Sequence, residues 1–294
     1  MSNDLGPVVQ SALLREELIR LRRDLGLSQE AVSRALEWHP SKVIRIEGGK
    51  TKISANDLRA LLAVYGVESE DRRERLETLA RGARVTPWWD SYRQVVNDAT
   101  LLLAGYEAGA AVIRGVQNQT IPALLQTEEC ARAITTGYGD PSELDQKVEL
   151  RMRRQAEAEQ REKPPQRLYV LDEAVIRRHI GVQADPGIMP RQLRYVADLA
   201  QNNDLVTVRI VPFSAGAHAG VDEPFTLLEF GGGLDDVLYR EGASQVTQAQ
   251  SSITRSEEVI ADYRAAFESI LAVALSSDDS IGLIRRAADD LQTG

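Results

Sequence analysis

The chain holds a single cysteine, Cys130, in 294 residues. One cysteine excludes an internal disulfide framework and fits a reducing compartment. Aromatic residues make up only 5% of the chain, so any core must be built chiefly from Leu, Val, Ile and Ala. No apolar run approaches the roughly 20 residues needed to span a bilayer. The segment Met1-Ser-Asn-Asp-Leu-Gly-Pro lacks the basic and apolar regions of a secretory leader. The expectation is a soluble, cytoplasmic protein with no membrane partner. Histidine is also scarce: His39, His179 and His218 stand at no metal-ligand spacing, so neither metal nor cofactor is expected.

Positive charge is short overall, with a net of −9, which at first argues against nucleic acid. The shortage is uneven. Residues 1–84 carry 15 Lys and Arg against 13 Asp and Glu, and the remainder carries 20 against 31. Within Pro40–Lys52 there are Lys42, Arg45, Lys50 and Lys52 against Glu47 alone. Binding to phosphates depends on the charge facing them, not on the sum over the chain.

The length allows two domains, and the pattern divides near Thr86-Pro-Trp-Trp into residues 11–84 and 85–294. In the first part, Leu14, Leu18, Leu21 and Leu25 recur at helical spacing over 11–25, and Gly26 is a suitable stop. Ser28 caps a second helix with Val32 and Leu36 inward. Glu37-Trp38-His39 forms a turn, and Pro40 opens a third helix with Val43 and Ile46 inward. Gly48-Gly49 ends it, Ser54 caps a fourth with Leu58, Leu61, Leu62 and Tyr65, and a fifth covers Asp71–Arg84. The fold class is therefore an all-α, five-helix N-terminal domain followed by a larger α+β domain. In the latter, helices are expected over 88–108, 121–136, 142–161, Glu173–His179, Pro190–Gln201, Gln245–Leu275 and Ser280–Leu291. Strands are expected at Ala111–Val116, Arg167–Leu171, Val206–Val211, Phe225–Phe230 and Asp236–Tyr239, with Gly231-Gly-Gly233 as a hairpin turn.

The second and third helices carry the chemistry. Apolar Val32, Leu36, Val43 and Ile46 stand where two crossing helices pack, with small Ser33 at their closest approach. A third helix starting near Pro40 then projects Ser41, Lys42, Ile44 and Arg45 outward. Arg45 suits a bidentate grip on a guanine edge, worth roughly 1–3 kcal/mol of discrimination. Lys42 suits a base or a phosphate. Gln29, opening the second helix, suits a phosphate, and Lys50 and Lys52 suit a backbone clamp.

On these residues, 11–66 resemble the Xre-type, phage-repressor-like helix-turn-helix domain. The shared signature is Gln29 at the start of the second helix and Ile46-Glu47-Gly48-Gly49-Lys50 at the end of the third. The resemblance implies an internal ion pair between Arg22 and Glu47. It also implies glycine in the turn where this chain has Glu37; a left-handed Glu37 costs about 1 kcal/mol. Ile121-Pro-Ala-Leu-Leu-Gln-Thr-Glu-Glu-Cys-Ala-Arg-Ala, Val170-Leu-Asp-Glu-Ala-Val, Val211-Pro-Phe-Ser-Ala-Gly-Ala-His and Ser276–Ile281 resemble the C-terminal domain of actinobacterial antitoxin-like, or WhiJ-like, regulators. That implies double-stranded DNA as a partner, with a repressor acting as a homodimer. Its C-terminal domain would answer a small-molecule or peptide effector or a small companion protein. The alternative is an antitoxin-like module that sequesters such a protein and uses DNA binding for autoregulation.

No catalytic constellation is evident. Cys130 sits in a helical stretch without a local partner and reads as core. Ser214-Ala-Gly-Ala-His218 lacks the strand-to-helix elbow of a hydrolase. Asp172 and Glu173 read as acids at a helix N-terminus. Arg151, Arg153, Arg154 and Arg161, interleaved with Glu157, Glu159 and Glu162, read as a solvated helix face.

Overall fold

The computed structural model describes residues 5–137, 140–231, 234–242 and 251–293. These fall into two compact units, the first ending at Asp90 and the second beginning at Ser91.

The first unit is helical: α1 (Pro7–Asp24), α2 (Gln29–Ala35), α3 (Pro40–Glu47), α4 (Ala55–Val64) and α5 (Glu70–Gly82). The starts of α2 to α5 follow from their caps. Ser28, Ser54 and Ser69 accept hydrogen bonds from Ala31, Asp57 and Arg72 N–H, and the His39 ring accepts from Ser41 N–H. Leu14, Leu18, Leu21, Val32, Val43, Ile46, Leu58, Leu61, Leu62, Tyr65 and Leu76 form the core. Two expectations are corrected. The first helix begins at Pro7, because proline opens a helix without losing a bond. Leu25 follows the last helical residue and is 51% exposed, so it does not extend the apolar stripe.

The second unit is α+β. A six-stranded mixed sheet has the order β3-β2-β1-β4-β5-β6. Its strands are β1 (Val112–Gln117), β2 (Gln166–Asp172), β3 (Val206–Val211), β4 (Phe225–Glu229), β5 (Val237–Arg240) and β6 (Ser252–Thr254). β1, β2 and β3 pair in parallel, while β1–β4, β4–β5 and β5–β6 pair antiparallel. The helices are α6 (Asp98–Glu107), α7 (Glu128–Thr136), α8 (Leu144–Glu159), α9 (Glu173–Arg177), α10 (Ile188–Asn202), α11 (Glu257–Val273) and α12 (Ser277–Thr293). Val116, Val170, Phe225, Leu227 and Leu238 meet Ile260, Phe267 and Ile270 of α11 on one face of the sheet. Gly115 and Tyr169 face each other across β1 and β2, and a Cβ at Gly115 would lie 2.6 Å from the Tyr169 ring. Only glycine leaves that ring room to lie over β1.

Three expected helices are cut short. Over 88–108, a 3-10 turn at Trp88–Tyr92 precedes α6, which starts only where Asn97 caps Thr100 N–H. Over 121–136, Pro122 and Thr127 divide the segment into a 3-10 turn, Ala123–Leu125, and α7. Of Gln245–Leu275, residues 245–250 lie outside the described residues, 252–254 form β6, and α11 begins at Glu257. The expected turn at Gly231–Gly233 also falls partly outside them, although β4 and β5 pair as antiparallel neighbours. Among the described residues no helix is long and apolar enough to cross a membrane.

Candidate nucleic-acid interface

The turn between α2 and α3 is closed by the backbone. Trp38 N–H donates to Ser33 C=O at 2.8 Å and Glu37 N–H to Arg34 C=O at 3.2 Å. This is the six-to-one and five-to-two pair that ends a helix on a left-handed residue. That residue is Glu37, at φ +54°, the one non-glycine with positive φ among the described residues. α3 ends the same way: Lys50 N–H donates to Arg45 C=O and Gly49 N–H to Ile46 C=O, with Gly49 at φ +70°. The left-handed conformation is what favours glycine here, and the end of the Arg15 side chain packs into the space it leaves.

A buried charge network fixes the two helices to α1. Arg22 donates from Nε to Glu47 Oε1 at 2.7 Å and from its terminal nitrogen to Oε2 at 2.9 Å. Its other terminal nitrogen donates to Leu27 C=O at 2.7 Å. The two side chains are 11% and 6% exposed. The Glu47 hydrogen bond holds the Arg22 guanidinium above its ordinary pKa against the opposing effect of burial. Burial, reinforced by the Glu47 charge, pushes the neighbouring Tyr65 phenol up to about 12. Gln29 donates its side-chain amide to Glu47 Oε2 at 2.7 Å, so in the free protein it braces the network.

α3 has two faces. Val43 and Ile46 are buried, whereas Ile44 and Arg45 are exposed. The Arg45 side chain makes no hydrogen bond or ion pair among the described residues. Ser41 is half-buried and shares a 2.8 Å hydrogen bond with the His39 ring. Lys42, expected to point freely outward, is instead half-buried. Its Nζ lies 2.6 Å from Asp57 Oδ1 and 3.9 Å from the centre of the Trp38 ring. Burial works to raise the Asp57 carboxyl, but the hydrogen bonds from Lys42 and Ser54 outweigh it and hold the pKa below the usual value. Lys50 and Lys52 are exposed, and Lys52 donates to Arg84 C=O at 3.3 Å. The exposed cations are therefore Arg45 on the helix and Lys50 and Lys52 just after it.

Residues 13–76 match a family described as a helix-turn-helix domain. Residues 100–286 match a domain of unknown function, DUF5753. The chain belongs to the DUF5753 family. The N-terminal match supports a DNA-binding regulator in preference to an enzyme, with DUF5753 as its larger part. Comparison with curated proteins yields no match, and comparison with solved structures yields none.

Within DUF5753, the segment Ile121–Thr127 leaves α-helical geometry but keeps its backbone satisfied through three buried glutamines. Gln126 donates to Ile121 C=O, Gln155 to Ala123 and Gln126 C=O, and Gln192 to Leu125 C=O while accepting from Thr127 N–H. The basic run on α8 is not one solvated face. Arg153 is exposed, but Arg154 is buried in a bidentate pair with Glu107 at 2.8 and 2.7 Å. Arg161, just past the helix end, donates to Ala110 C=O at 2.6 Å. Val148, Arg151, Arg154, Gln155 and Ala158 share one helical stripe, and that periodicity was the signal available in the sequence. Asp172 caps α9 by accepting from Ala174 N–H, and its other oxygen meets the His218 ring at 3.1 Å. His218 accepts from Gly220 N–H through its second ring nitrogen, so the pair pins a loop. Cys130 is fully buried, and desolvation raises its thiol to about 12.

Proposed function

We propose that the protein is a sequence-specific transcriptional regulator, a dimeric repressor that lays α3 in the major groove. The observation that carries this reading is Arg45. It is an unpaired guanidinium on the exposed face of a short helix whose other face is locked into the core. Arg45 reads a guanine edge with Ile44 beside it against a thymine methyl group. Ser41, Lys50 and Lys52 hold phosphates. Lys42 joins them by exchanging Asp57 for the DNA backbone, and Gln29 contributes from the start of α2 while its amide stays on Glu47.

An eight-residue helix covers too little duplex to give operator affinity alone. Two copies on half-sites about one helical turn apart supply the rest. Residues 85–294 then serve dimerisation and response to a signal, in keeping with the resemblance to WhiJ-like regulators, and the protein works in the cytoplasm. Selection from a randomised duplex pool with the full chain tests the reading. The expected product is an inverted repeat with half-site centres about 10 base pairs apart. A pool that shows no enrichment at low salt rejects it. A single half-site bound by one chain rejects the dimer.

A further inference from the structure

The face of the sheet opposite α11 does not pack solidly against α6 and α8. Between them lies a cavity of about 160 Å³, lined by Gln117, Tyr169, Thr226 and Tyr239 from the sheet. From above come Glu107, Arg151 and Arg154, with Leu103, Ile121, Leu124 and Ile134 as the apolar wall. A second cavity of about 470 Å³ shares Thr100, Ile134, Arg151 and Arg154 with it and also reaches Lys147 and Leu150. The outer cavity alone falls in the range of small-molecule sites, about 300–1,000 Å³, and the inner one, which Tyr169 lines, has room only for a small extension of it.

Two groups lining the inner cavity keep hydrogen-bonding capacity that no residue of the wall uses. Tyr169 is 3% exposed, yet its hydroxyl has no hydrogen-bond partner among the described residues. Arg151 stands where the two cavities meet. It donates one hydrogen bond, to Gln126 Oε1 at 2.8 Å, and has no carboxylate within ion-pairing distance among the described residues. Glu107, the buried acid nearby, is already held by both nitrogens of Arg154. Desolvation, and then the charge of Arg154, press the Arg151 guanidinium below its ordinary pKa. A half-buried guanidinium that holds one amide oxygen and no paired carboxylate is the arrangement a bound anion completes.

We propose that this cavity binds a small monocarboxylic acid, its carboxylate paired with Arg151 and hydrogen-bonded by Tyr169, its apolar body against Leu103, Ile121, Leu124 and Ile134. A single uncommitted cation matches a single negative charge. Glu241 and Glu107 line the same space, so a phosphate dianion meets repulsion that a monoanion largely escapes. A neutral amide leaves the guanidinium unpaired. The assignment deepens the reading of the second unit as a sensor and rests on it for any effect on DNA.

Binding is read on the full chain without DNA, so its outcome is separate from operator recognition. The probes are straight-chain monocarboxylates from acetate to decanoate and benzoate, each beside its primary amide, with inorganic phosphate alongside. Thermal unfolding and titration calorimetry should show at least one acid binding saturably and raising the melting temperature by several degrees, with its amide inert. Arg151→Met should weaken that acid at least tenfold, and Tyr169→Phe severalfold. Without ligand, Arg151→Met should melt within a few degrees of the parent, since no ion pair is lost. A flat response to the whole series, an amide or phosphate that binds as well as the acid, or undiminished binding by Arg151→Met overturns the proposal. A collapse of the unliganded Arg151→Met protein also overturns it, because the guanidinium would then be structural; Tyr169→Phe keeps the binding arm readable in that event.

Discussion

Replacing Glu47 by glutamine isolates the charge that ties α3 to α1. The shape of the side chain is kept, and the amide still accepts from Gln29. Arg22, 11% exposed, then keeps only Leu27 C=O and that one neutral amide oxygen as acceptors, and no opposing charge. Removing one partner of a buried ion pair costs about 3–5 kcal/mol, because the surviving charge stays desolvated. At roughly 4–8 °C per kcal/mol for a domain of 60–100 residues, the lower end of that cost moves the melting of the first unit down by roughly 12–24 °C. Scanning calorimetry of the full chain measures the shift. The double variant Arg22→Met with Glu47→Leu provides the control. It removes both charges, and a repacked apolar pair is often neutral, so it should recover most of the loss. A Glu47→Gln protein that melts within 3 °C of the parent, on the order of half a kcal/mol by the same scaling, refutes the idea that this network holds the two-helix motif in place.

Other outcomes follow from the same geometry. Glu37→Gly should stabilise the first unit by about 0.5–1 kcal/mol, because it relieves the left-handed strain at a small entropic cost; urea unfolding checks the sign. Asp57→Asn removes the ion pair that Lys42 must break to reach the DNA backbone, and should tighten DNA binding while leaving the logarithmic salt slope unchanged. The Asp57 carboxyl has a folded pKa below its unfolded value of 3.8. Its contribution to stability is therefore present above that pH and is lost as pH falls through the lower folded value. Urea midpoints between pH 5 and pH 2 should show an acid-sensitive component that Asp57→Asn lacks. Gln192→Ala orphans Leu125 C=O and Thr127 N–H in the interior, at about 1–3 kcal/mol, and should lower the melting temperature of the second unit.

The helical unit was legible because its signals are local. Caps at Ser28 and Ser54, proline at the start of α3 and paired glycines at its end each act within one turn of chain. The apolar spacing of Val32, Val43 and Ile46 leaves few ways to fold the segment. The Lys42–Asp57 contact was not legible, since it joins residues on different helices whose crossing sets the distance. Strand positions in the second unit were readable from apolar β-branched runs. The break at Ile121–Thr127 was not, because Gln155 and Gln192 supply the donors that make a non-α-helical backbone affordable from 30 to 70 residues away. Arg151 and Arg154 were misread for a related reason. Charge suggested solvent, whereas their shared stripe with Val148 and Ala158 points inward, and Glu107, which neutralises Arg154, lies on another helix. β6 is three residues long and carries no pattern that distinguishes it from a helix start.

Base reading by α3 rests on Arg45. The most direct measurement is the affinity of the full chain for every single-base variant of a selected site, compared with Arg45→Ala and Lys50→Ala at fixed salt. Arg45→Ala should flatten the preference at one guanine by about 1–3 kcal/mol and leave the other positions intact. Lys50→Ala should weaken all sites alike and make the salt slope shallower by about one. An Arg45→Ala profile that keeps every preference of the parent, or equal effects of both variants on all sequences, contradicts this role for Arg45.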